Sequence, residues 1–424
     1  MKRIQNRIAQ WLINPRVAGG IALAVVLVAT LQKYALGAEQ MNNLLIFRAS
    51  VWHLLSSINL YALSTDHADL FKYSPTFALC MLPLAALPLL WSALVWNMLN
   101  SIVFIVGIYS VSHLLYRSDN EGDDDNRNRT IAVLLWICAV ELLTSVQNFQ
   151  SNALMAGLAL CTLSAMERGK TVPVALYLAL SFHIKIYGAA PLVLMLFYPQ
   201  KIRFTLAFLG FAAVLTAAPL CAVSSDNLLW QYQNWKVLLE SDHAASYGLS
   251  AMSLLSPLLP NVQAVSFVQA FSLLVLCAPV VVIAMRPRLS TLPLRLLCGA
   301  SVLIWMVIFN HKAESPTFII ALAGVSVWYA LLRQREVENS HAEKIVFPMP
   351  RRGYKWLWNG LLWFVIVGTS LSVTDFFPES LRSGIFASLH LKVLPCIAIW
   401  LYIQVQLWHQ IITSNFATGT QFER

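Results

Sequence analysis

The stretch FHIKIYGAAP, residues 182–191, places a lysine inside an apolar run, with VPVALYLALS before it and LVLMLFY after it. A lysine at the depth of a bilayer centre costs about 2.5–3.5 kcal/mol on insertion scales. Gly188 and Pro191 follow this lysine, and both residue types interrupt helices. The pattern predicts two short apolar helices within residues 172–199, one on each side of Lys185–Gly188, and an intramembrane role for Lys185.

The composition around this stretch is typical of a membrane protein. Hydrophobic residues make up 58% of the 424 residues, charged residues only 12%, and the mean hydropathy is +0.65. Soluble domains carry roughly 25% charged residues. Apolar segments that cross lipid must be helical, because lipid offers no partner to the backbone. We expect an all-α polytopic membrane protein of about 11–13 transmembrane or re-entrant helices, each crossing in roughly 17–25 residues.

The cysteines and the net charge do not indicate a metal site or nucleic-acid binding. The seven cysteines form no CxxC pair and lie mostly in apolar runs, as small packing residues do. The net charge of +9 does not indicate nucleic-acid binding, because membrane proteins concentrate Lys and Arg in cytoplasmic loops. The acidic tract Asp123–Asp125 reads as part of a solvated cytoplasmic loop. We expect neither a metal site nor a nucleic-acid partner.

Basic residues indicate the orientation of the spans. The first span, about 17–37, follows Lys2, Arg3 and Arg7, which places the N-terminus in the cytoplasm. Alternating the spans from there puts the loops 116–129 and 333–355 on the same side. That arrangement places 21 of the 29 Lys and Arg residues inside and eight in the outer half. The eight are Lys33, Arg48, Lys72, Lys185, Lys236, Lys312, Arg382 and Lys392.

A long outer segment, about 38–92, precedes the second span. Within it, IFRASVWHLL (46–55) reads as an amphipathic interfacial helix. SPTFALCMLPLAALP (74–88) reads as a short helix at the outer interface, because three prolines interrupt it. A second outer loop is expected over residues 224–262.

Isolated polar residues collect on the outer side of this topology. Ionisable groups inside or beside membrane spans mark functional sites by default. We therefore expect one outward-facing polar chamber. Its candidate residues are Asn42, Asn43, Arg48, Asp66, Asp69, Lys72, Tyr73, Glu141, Gln147, Asn148, Gln150, Asn152, Lys185, Asp242, His243, Asn310, His311, Lys312 and Glu314.

The order of three stretches resembles glycosyltransferase family 87, of the GT-C superfamily. The stretches are FKYSPTFALCMLPLAALP (71–88), ELLTSVQNFQSNALMAGLAL (141–160) and ALSFHIKIYGAAPLVLMLFY (179–198). The resemblance covers about 40–200, and SDHAASYG (241–248) and FNHKAESPTFIIA (309–321) extend it. It implies a single integral membrane domain over 1–424, with a GT-C-like catalytic half at 1–200 and additional transmembrane helices at 201–424.

The resemblance also implies an activity and a location. The family's enzymes pass a sugar, mannose or a similar hexose, from a polyprenyl-phosphate donor to an acceptor hydroxyl of a glycolipid or glycan. Transfer is expected to invert the anomeric carbon on the outer face of a bacterial cytoplasmic membrane. The expected partners are the lipid-linked donor, the acceptor and membrane lipids, without any further cofactor.

The residues available for this chemistry divide into three sets. A cation must hold the donor phosphate, and the candidates are Lys185, Arg48 and Lys72. A carboxylate must accept the acceptor proton. Family members usually place an Asp just after the first span, where this chain has Asn42 and Asn43. Asp69, Glu141 or Glu39 could replace it, and Asp69 is favoured because it precedes the FKYSP motif. The substrate-binding candidates are Asn42, Asn43, Tyr73, Gln147, Asn152, Asp242, His243, His311, Lys312 and Glu314.

Two other functions stay open at this stage. A flippase or transporter for polyprenyl-linked glycans would also need a polar cavity, although one that opens alternately to both sides. The one-sided distribution of polar residues argues against it. An inactive or differently working homologue is the other alternative, because the usual Asp is absent. A non-enzymatic scaffold would leave Lys185 unexplained.

Overall fold

The helices follow the apolar runs of the sequence. The computed structural model describes residues 10–64, 69–116, 121–242, 247–258, 262–341 and 355–419, and within these ranges the regular structure is entirely helical. Six of these helices are long and apolar enough to cross a membrane, which confirms a multi-pass all-α membrane protein. These six are Pro15–Ala35, Leu89–Leu115, Asp124–Gln147, Lys201–Cys221, Ala264–Ala284 and Ser315–Gln334.

The chain divides into two compact units. The first comprises Met1–Leu114, Asn120–Ala190 and Gln200–Ser246, and the second comprises Leu115–Asp119, Pro191–Pro199 and Tyr247–Arg424. Ten α-helices whose two ends both lie within the described residues begin in the first unit. They are α1 Pro15–Ala35, α2 Asn42–Leu55, α3 Pro75–Cys80, α4 Leu82–Ala85, α5 Leu89–Leu115, α6 Glu121–Gln147, α7 Asn152–Glu167, α8 Thr171–Ile184, α9 Lys201–Ala217 and α10 Ser225–Asp242. A 3₁₀ helix, Ile186–Phe197, follows α8.

Short-range signals explain several helix boundaries in the first unit. Pro15 opens α1, and the Asn14 side chain accepts a hydrogen bond from the backbone N–H of Arg16 at 2.9 Å. Pro75 opens α3 in the same way, with Ser74 Oγ accepting from Phe77 N at 3.1 Å. The proline-rich stretch 74–88 thus forms two short helices, α3 and α4, where the sequence predicts one.

The predictions of loops at 116–129 and 224–262 are wrong, because both stretches are partly helical. The predicted loop 116–129 contains the start of α6 at Glu121. Acidic residues favour a helix N-terminus, and Asp124 and Asp125 pair with Arg127 and Arg129 one turn later. The predicted outer loop 224–262 likewise contains α10, an 18-residue helix. The polar residues of α10 lower the mean hydropathy of this stretch, so the sequence indicated a loop. One face of the helix is nevertheless buried.

Close backbone contacts position the site-bearing helix α7 within the first unit. A Cβ at Gly157 would lie 2.5 Å from the Val103 carbonyl, and one at Gly107 would lie 2.9 Å from Gly157 O. Helices α5 and α7 therefore cross where neither has a side chain, a common device of membrane helices. The N-terminus of α7, at Asn152, is held by this packing.

The second unit has its own helices and its own close crossing. Its α-helices are α11 Ala251–Leu255, α12 Val262–Ala284, α13 Leu292–Ile308, α14 Phe318–His341, α15 Lys355–Phe364 and α16 Leu394–Gly419. Helix α15 continues as a π-helix, Val365–Leu371. Helices α13 and α14 pack closely at Gly324, where a Cβ would lie 2.7 Å from Ala300 O.

Candidate functional site

Lys185 lies at a break between two helices, as the sequence predicts. Helix α8 ends at Ile184, Lys185 has extended backbone angles (φ −147°, ψ 131°), and the 3₁₀ helix begins at Ile186. Gly188 makes the break possible, because a Cβ there would lie 2.5 Å from Ser181 O and 2.6 Å from Met155 Cε. The lysine ammonium is therefore placed by backbone geometry that a larger residue at 188 would disturb.

The ammonium group of Lys185 contacts an amide oxygen and two aromatic rings. Its Nζ donates to Asn152 Oδ1 at 2.9 Å. It lies 5.5 Å from the ring centroid of Tyr73 and 5.8 Å from that of Tyr187. The Tyr187 hydroxyl donates to the same Asn152 oxygen at 3.5 Å. Ring faces and amide oxygens are neutral groups that favour a cation, and the half-buried lysine side chain keeps part of its surface accessible.

A strained turn presents Asn152 to the lysine. Phe149 has a φ of 51°, which is unusual for a bulky residue, and its side chain is fully buried. Its carbonyl accepts from Trp96 Nε1 at 2.8 Å. Asn152, also fully buried, donates through Nδ2 to Gln150 Oε1. The Asn152 amide is thus oriented with its oxygen toward Lys185.

An aromatic cluster fixes the Tyr73 ring against the lysine. Tyr73 stacks on Phe77 at 4.5 Å and meets Phe47 edge-on at 4.9 Å. The Tyr73 carbonyl accepts from the Tyr61 hydroxyl at 3.0 Å, and its own hydroxyl accepts from Ser151 Oγ at 3.4 Å. Both the α2 side and the α7 side of the first unit therefore hold this ring.

The structure brings three of the predicted residues into direct contact: Lys185, Tyr73 and Asn152. Asn43 reaches the same turn, since its Nδ2 donates to Asn148 O at 2.8 Å. Gln147, at the end of α6, and Asn42, at the start of α2, are both half-buried. Sequence reasoning missed Tyr187, although its position two residues after Lys185 in the apolar break was a usable signal.

The three candidate bases differ in accessibility. Asp69 is exposed, and its Oδ1 accepts from the backbone N–H of Leu70 at 2.7 Å. Glu39 is exposed in the 3₁₀ turn Ala38–Met41. Glu141 is fully buried within α6, inside a candidate membrane span. Asp69 lies four residues before Tyr73, on the segment that leads to the lysine.

The other two candidate cations are Arg48 and Lys72. Arg48 Nη1 donates to the carbonyls of Leu84 and Leu87, both at 2.8 Å, and so caps the chain after α4. The Lys72 side chain is half-buried, and its carbonyl accepts from Trp235 Nε1 at 3.5 Å. Lys185 differs from Arg48, whose guanidinium donates to backbone carbonyls, because its ammonium group contacts side chains.

The remaining candidates lie in the second unit, at the end of α10 in the first unit, or outside the described residues. Glu314 caps the 3₁₀ turn Ser315–Thr317 in a capping box, so its carboxylate has a backbone role. His311 and Lys312 are half-buried, with Lys312 N donating to Asn310 Oδ1 at 3.0 Å. Asp242 ends α10, while Asp66 and His243 lie outside the described residues.

Comparison with known proteins identifies one family. Glycosyltransferase family 87 matches residues 71–347, which is 277 of the 424 residues and includes the whole Lys185 site from Tyr73 onward. A comparison with curated protein sequences found no match. A solved structure of ArnT from Cupriavidus metallidurans, bound to undecaprenyl phosphate, is similar over 93% of this chain and 77% of that chain, with 14% identity and a TM-score of 0.44. The assignment therefore rests on the family match.

Proposed function

Because the chain belongs to glycosyltransferase family 87, we propose that this membrane enzyme transfers a hexose such as mannose from a polyprenyl-phosphate donor. The acceptor is a hydroxyl of a glycolipid or glycan. The observation that supports this donor is the Lys185 site, where an ammonium group lies at a helix break among Asn152, Tyr73 and Tyr187. A lipid-linked phosphate requires a cation at this kind of membrane-embedded position.

Lys185 would stabilise the leaving phosphate. Transfer breaks the bond between the sugar C1 and the phosphate oxygen, and the bonding electrons remain on the polyprenyl phosphate. An ammonium group has three N–H donors, and one of them already points to Asn152 Oδ1 at 2.9 Å. A preorganised charge of this kind supports the transition state more than the ground state. We expect no metal requirement, because Lys185 supplies the positive charge.

Asp69 is the preferred general base. The acceptor hydroxyl loses its proton as its oxygen bonds to C1 on the face opposite the phosphate, which gives inversion. The base must reach an acceptor that arrives from outside, and Asp69 is exposed whereas Glu141 is fully buried. Glu39 is also exposed and is the alternative. Asn43, near the position of the family's usual Asp, donates to Asn148 O instead.

The site would face the outside of a bacterial cytoplasmic membrane, with the N-terminus in the cytoplasm. The asymmetry of 21 inner and eight outer basic residues supports this orientation. The residues assigned to catalysis all lie within 1–200, the expected catalytic half. Membrane lipids would surround the apolar helices and deliver the donor laterally.

The proposal is tested by transfer from synthetic polyprenyl-phosphate hexoses in nanodiscs, with and without a chelator. We expect transfer from the lipid-linked mannose or a similar hexose, none from a nucleotide sugar, and no effect of chelation. Dependence on a divalent metal would contradict the assigned role of Lys185. Movement of the lipid-linked sugar across the bilayer of sealed proteoliposomes, without transfer, would instead favour the flippase alternative.

A further inference from the structure

Helix α10 lies outside the expected catalytic half, yet one of its faces binds the segment that carries Tyr73. Gln231, Tyr232 and Trp235, here called the α10 clamp, contact residues 58–76 at three points. Resting on the proposed function, we infer that the α10 clamp positions Tyr73 and Lys185 for the transfer reaction, with Gln231 as its principal positioning residue.

Gln231 binds the first point of the segment with both ends of its amide. Its Nε2 donates to Ile58 O at 2.7 Å, and its Oε1 accepts from Leu60 N at 3.1 Å. The side chain is fully buried, with an exposed fraction of 0%. A buried amide that satisfies one carbonyl and one N–H fixes the backbone at residues 58–60, because either group left unpaired is costly.

The second and third contact points, at residues 72 and 76, flank Tyr73 in the chain. Trp235 Nε1 donates to Lys72 O at 3.5 Å. The Tyr232 hydroxyl lies 3.1 Å from Thr76 Oγ1 and donates to Thr216 O at 3.2 Å. Residues 72 and 76 are therefore tied to the same helix that holds residues 58–60.

Tyr61 connects the first contact point to the site. It follows Leu60 directly, and its hydroxyl donates to Tyr73 O at 3.0 Å. The Tyr73 ring then lies 5.5 Å from Lys185 Nζ. The path from α10 to the ammonium group thus runs through Gln231, Leu60, Tyr61 and Tyr73, with a direct contact or a chain neighbour at every step. Asp69 lies on the same segment, between the first and second contact points.

The test is a double-mutant cycle between Gln231→Leu and Lys185→Met, with Gln233→Leu as the matched control on the exposed face of α10. If Gln231 acts through Lys185, we expect Gln231→Leu to lower kcat/KM about tenfold in the wild type, and by less than about threefold when Lys185 is already methionine. Gln233→Leu should leave kcat/KM unchanged in both backgrounds.

A second variant keeps the inference testable if Gln231→Leu folds poorly. Tyr61→Phe removes only the hydroxyl that binds Tyr73 O, and it should show the same coupling to Lys185→Met. Equal losses in both backgrounds, for an enzyme that is active as wild type, would overturn the inference and leave the proposed function standing. A wild type that transfers nothing from any polyprenyl-phosphate hexose would contradict the proposed function itself, and this inference with it.

Discussion

Two buried or half-buried lysines, one in each unit, show how differently the same residue can be accommodated in an apolar protein. Lys185 donates to a side-chain oxygen of Asn152 and keeps part of its surface accessible. Lys392 is only 3% exposed, donates to the backbone carbonyl of Thr369 at 3.1 Å, and lies 5.0 Å from the ring centroid of Phe318.

The two lysines differ in their exposure and in the group to which each donates. Thr369 belongs to a π-helix, whose irregular hydrogen bonding makes a carbonyl available to a lysine. We therefore interpret Lys392 as a structural residue. Lys185 is half-buried and donates to the side chain of Asn152, so a phosphate could reach its ammonium group. The partners and the exposure of a buried lysine thus guide its interpretation, and they support the proposed role of Lys185 in donor binding.

The largest expected effect on turnover follows from removing the proposed general base, Asp69. An aspartate of the second unit serves as the control. Asp69→Asn keeps the shape of the side chain and removes its basicity, so turnover should fall about 10²–10⁴-fold while donor binding is retained. Asp375→Asn is the matched control in the second unit, where Asp375 is exposed and pairs with Arg382 at 2.9 Å.

Steady-state transfer assays would measure both aspartate variants. Glu39→Gln and Glu141→Gln complete the set. Full activity of Asp69→Asn would exclude Asp69 as the base, and a large loss in Glu39→Gln would assign that role to Glu39.

Exchanging each lysine for methionine tests the comparison directly. Lys185→Met should lower kcat about 10²–10³-fold, because the leaving phosphate loses a preorganised charge. Lys392→Met should change kcat of the folded enzyme less than twofold. Rates normalised to folded protein would check this, and similar losses in both variants would show that the two lysines do not differ in function.

A smaller effect is expected at the partner of Lys185. Asn152→Leu removes the oxygen that accepts from Lys185 Nζ and from the Tyr187 hydroxyl. The ammonium group should lose orientation while keeping its charge, so kcat/KM should fall about tenfold. Kinetics together with the melting temperature would measure this, and a loss as large as that of Lys185→Met would assign Asn152 a direct role with substrate.

Lys392→Met should have the smallest effect on activity but should lower the stability of the second unit. Lys392→Met leaves the Thr369 carbonyl without its charged donor, which should destabilise the second unit by about 1–3 kcal/mol. Thermal unfolding in detergent would measure the difference from Lys185→Met, whose melting temperature should stay closer to that of the wild type. A reversed order would contradict the structural role of Lys392.

The sequence predicted the features that local signals control. Gly188 and Pro191 indicated the helix break at Lys185, and the prolines of 74–88 indicated that this stretch is a short helical segment and not a full span, because these residues act on their own backbone. The contacts of Gln231 with Ile58 and Leu60 could not be predicted, since they join residues 171 or more positions apart. The start of α6 at Glu121 was missed because a hydropathy pattern does not include the stabilisation that acidic residues give a helix N-terminus. The sequence favoured Asp69 as the base by its position before FKYSP, whereas the exposure of Asp69 and the burial of Glu141, which support the same proposal, are determined by packing.

The most direct test of the account is the affinity for polyprenyl phosphate itself, measured for wild type, Lys185→Met and Lys392→Met in nanodiscs. Polyprenyl phosphate carries the group that Lys185 is proposed to bind, and binding needs neither the sugar nor the base. If Lys185 binds the donor phosphate, Lys185→Met should weaken binding at least about tenfold, as expected for loss of a charge-assisted hydrogen bond, while Lys392→Met should bind as wild type does. Equal affinity of all three proteins would contradict the assignment of Lys185 to the donor phosphate.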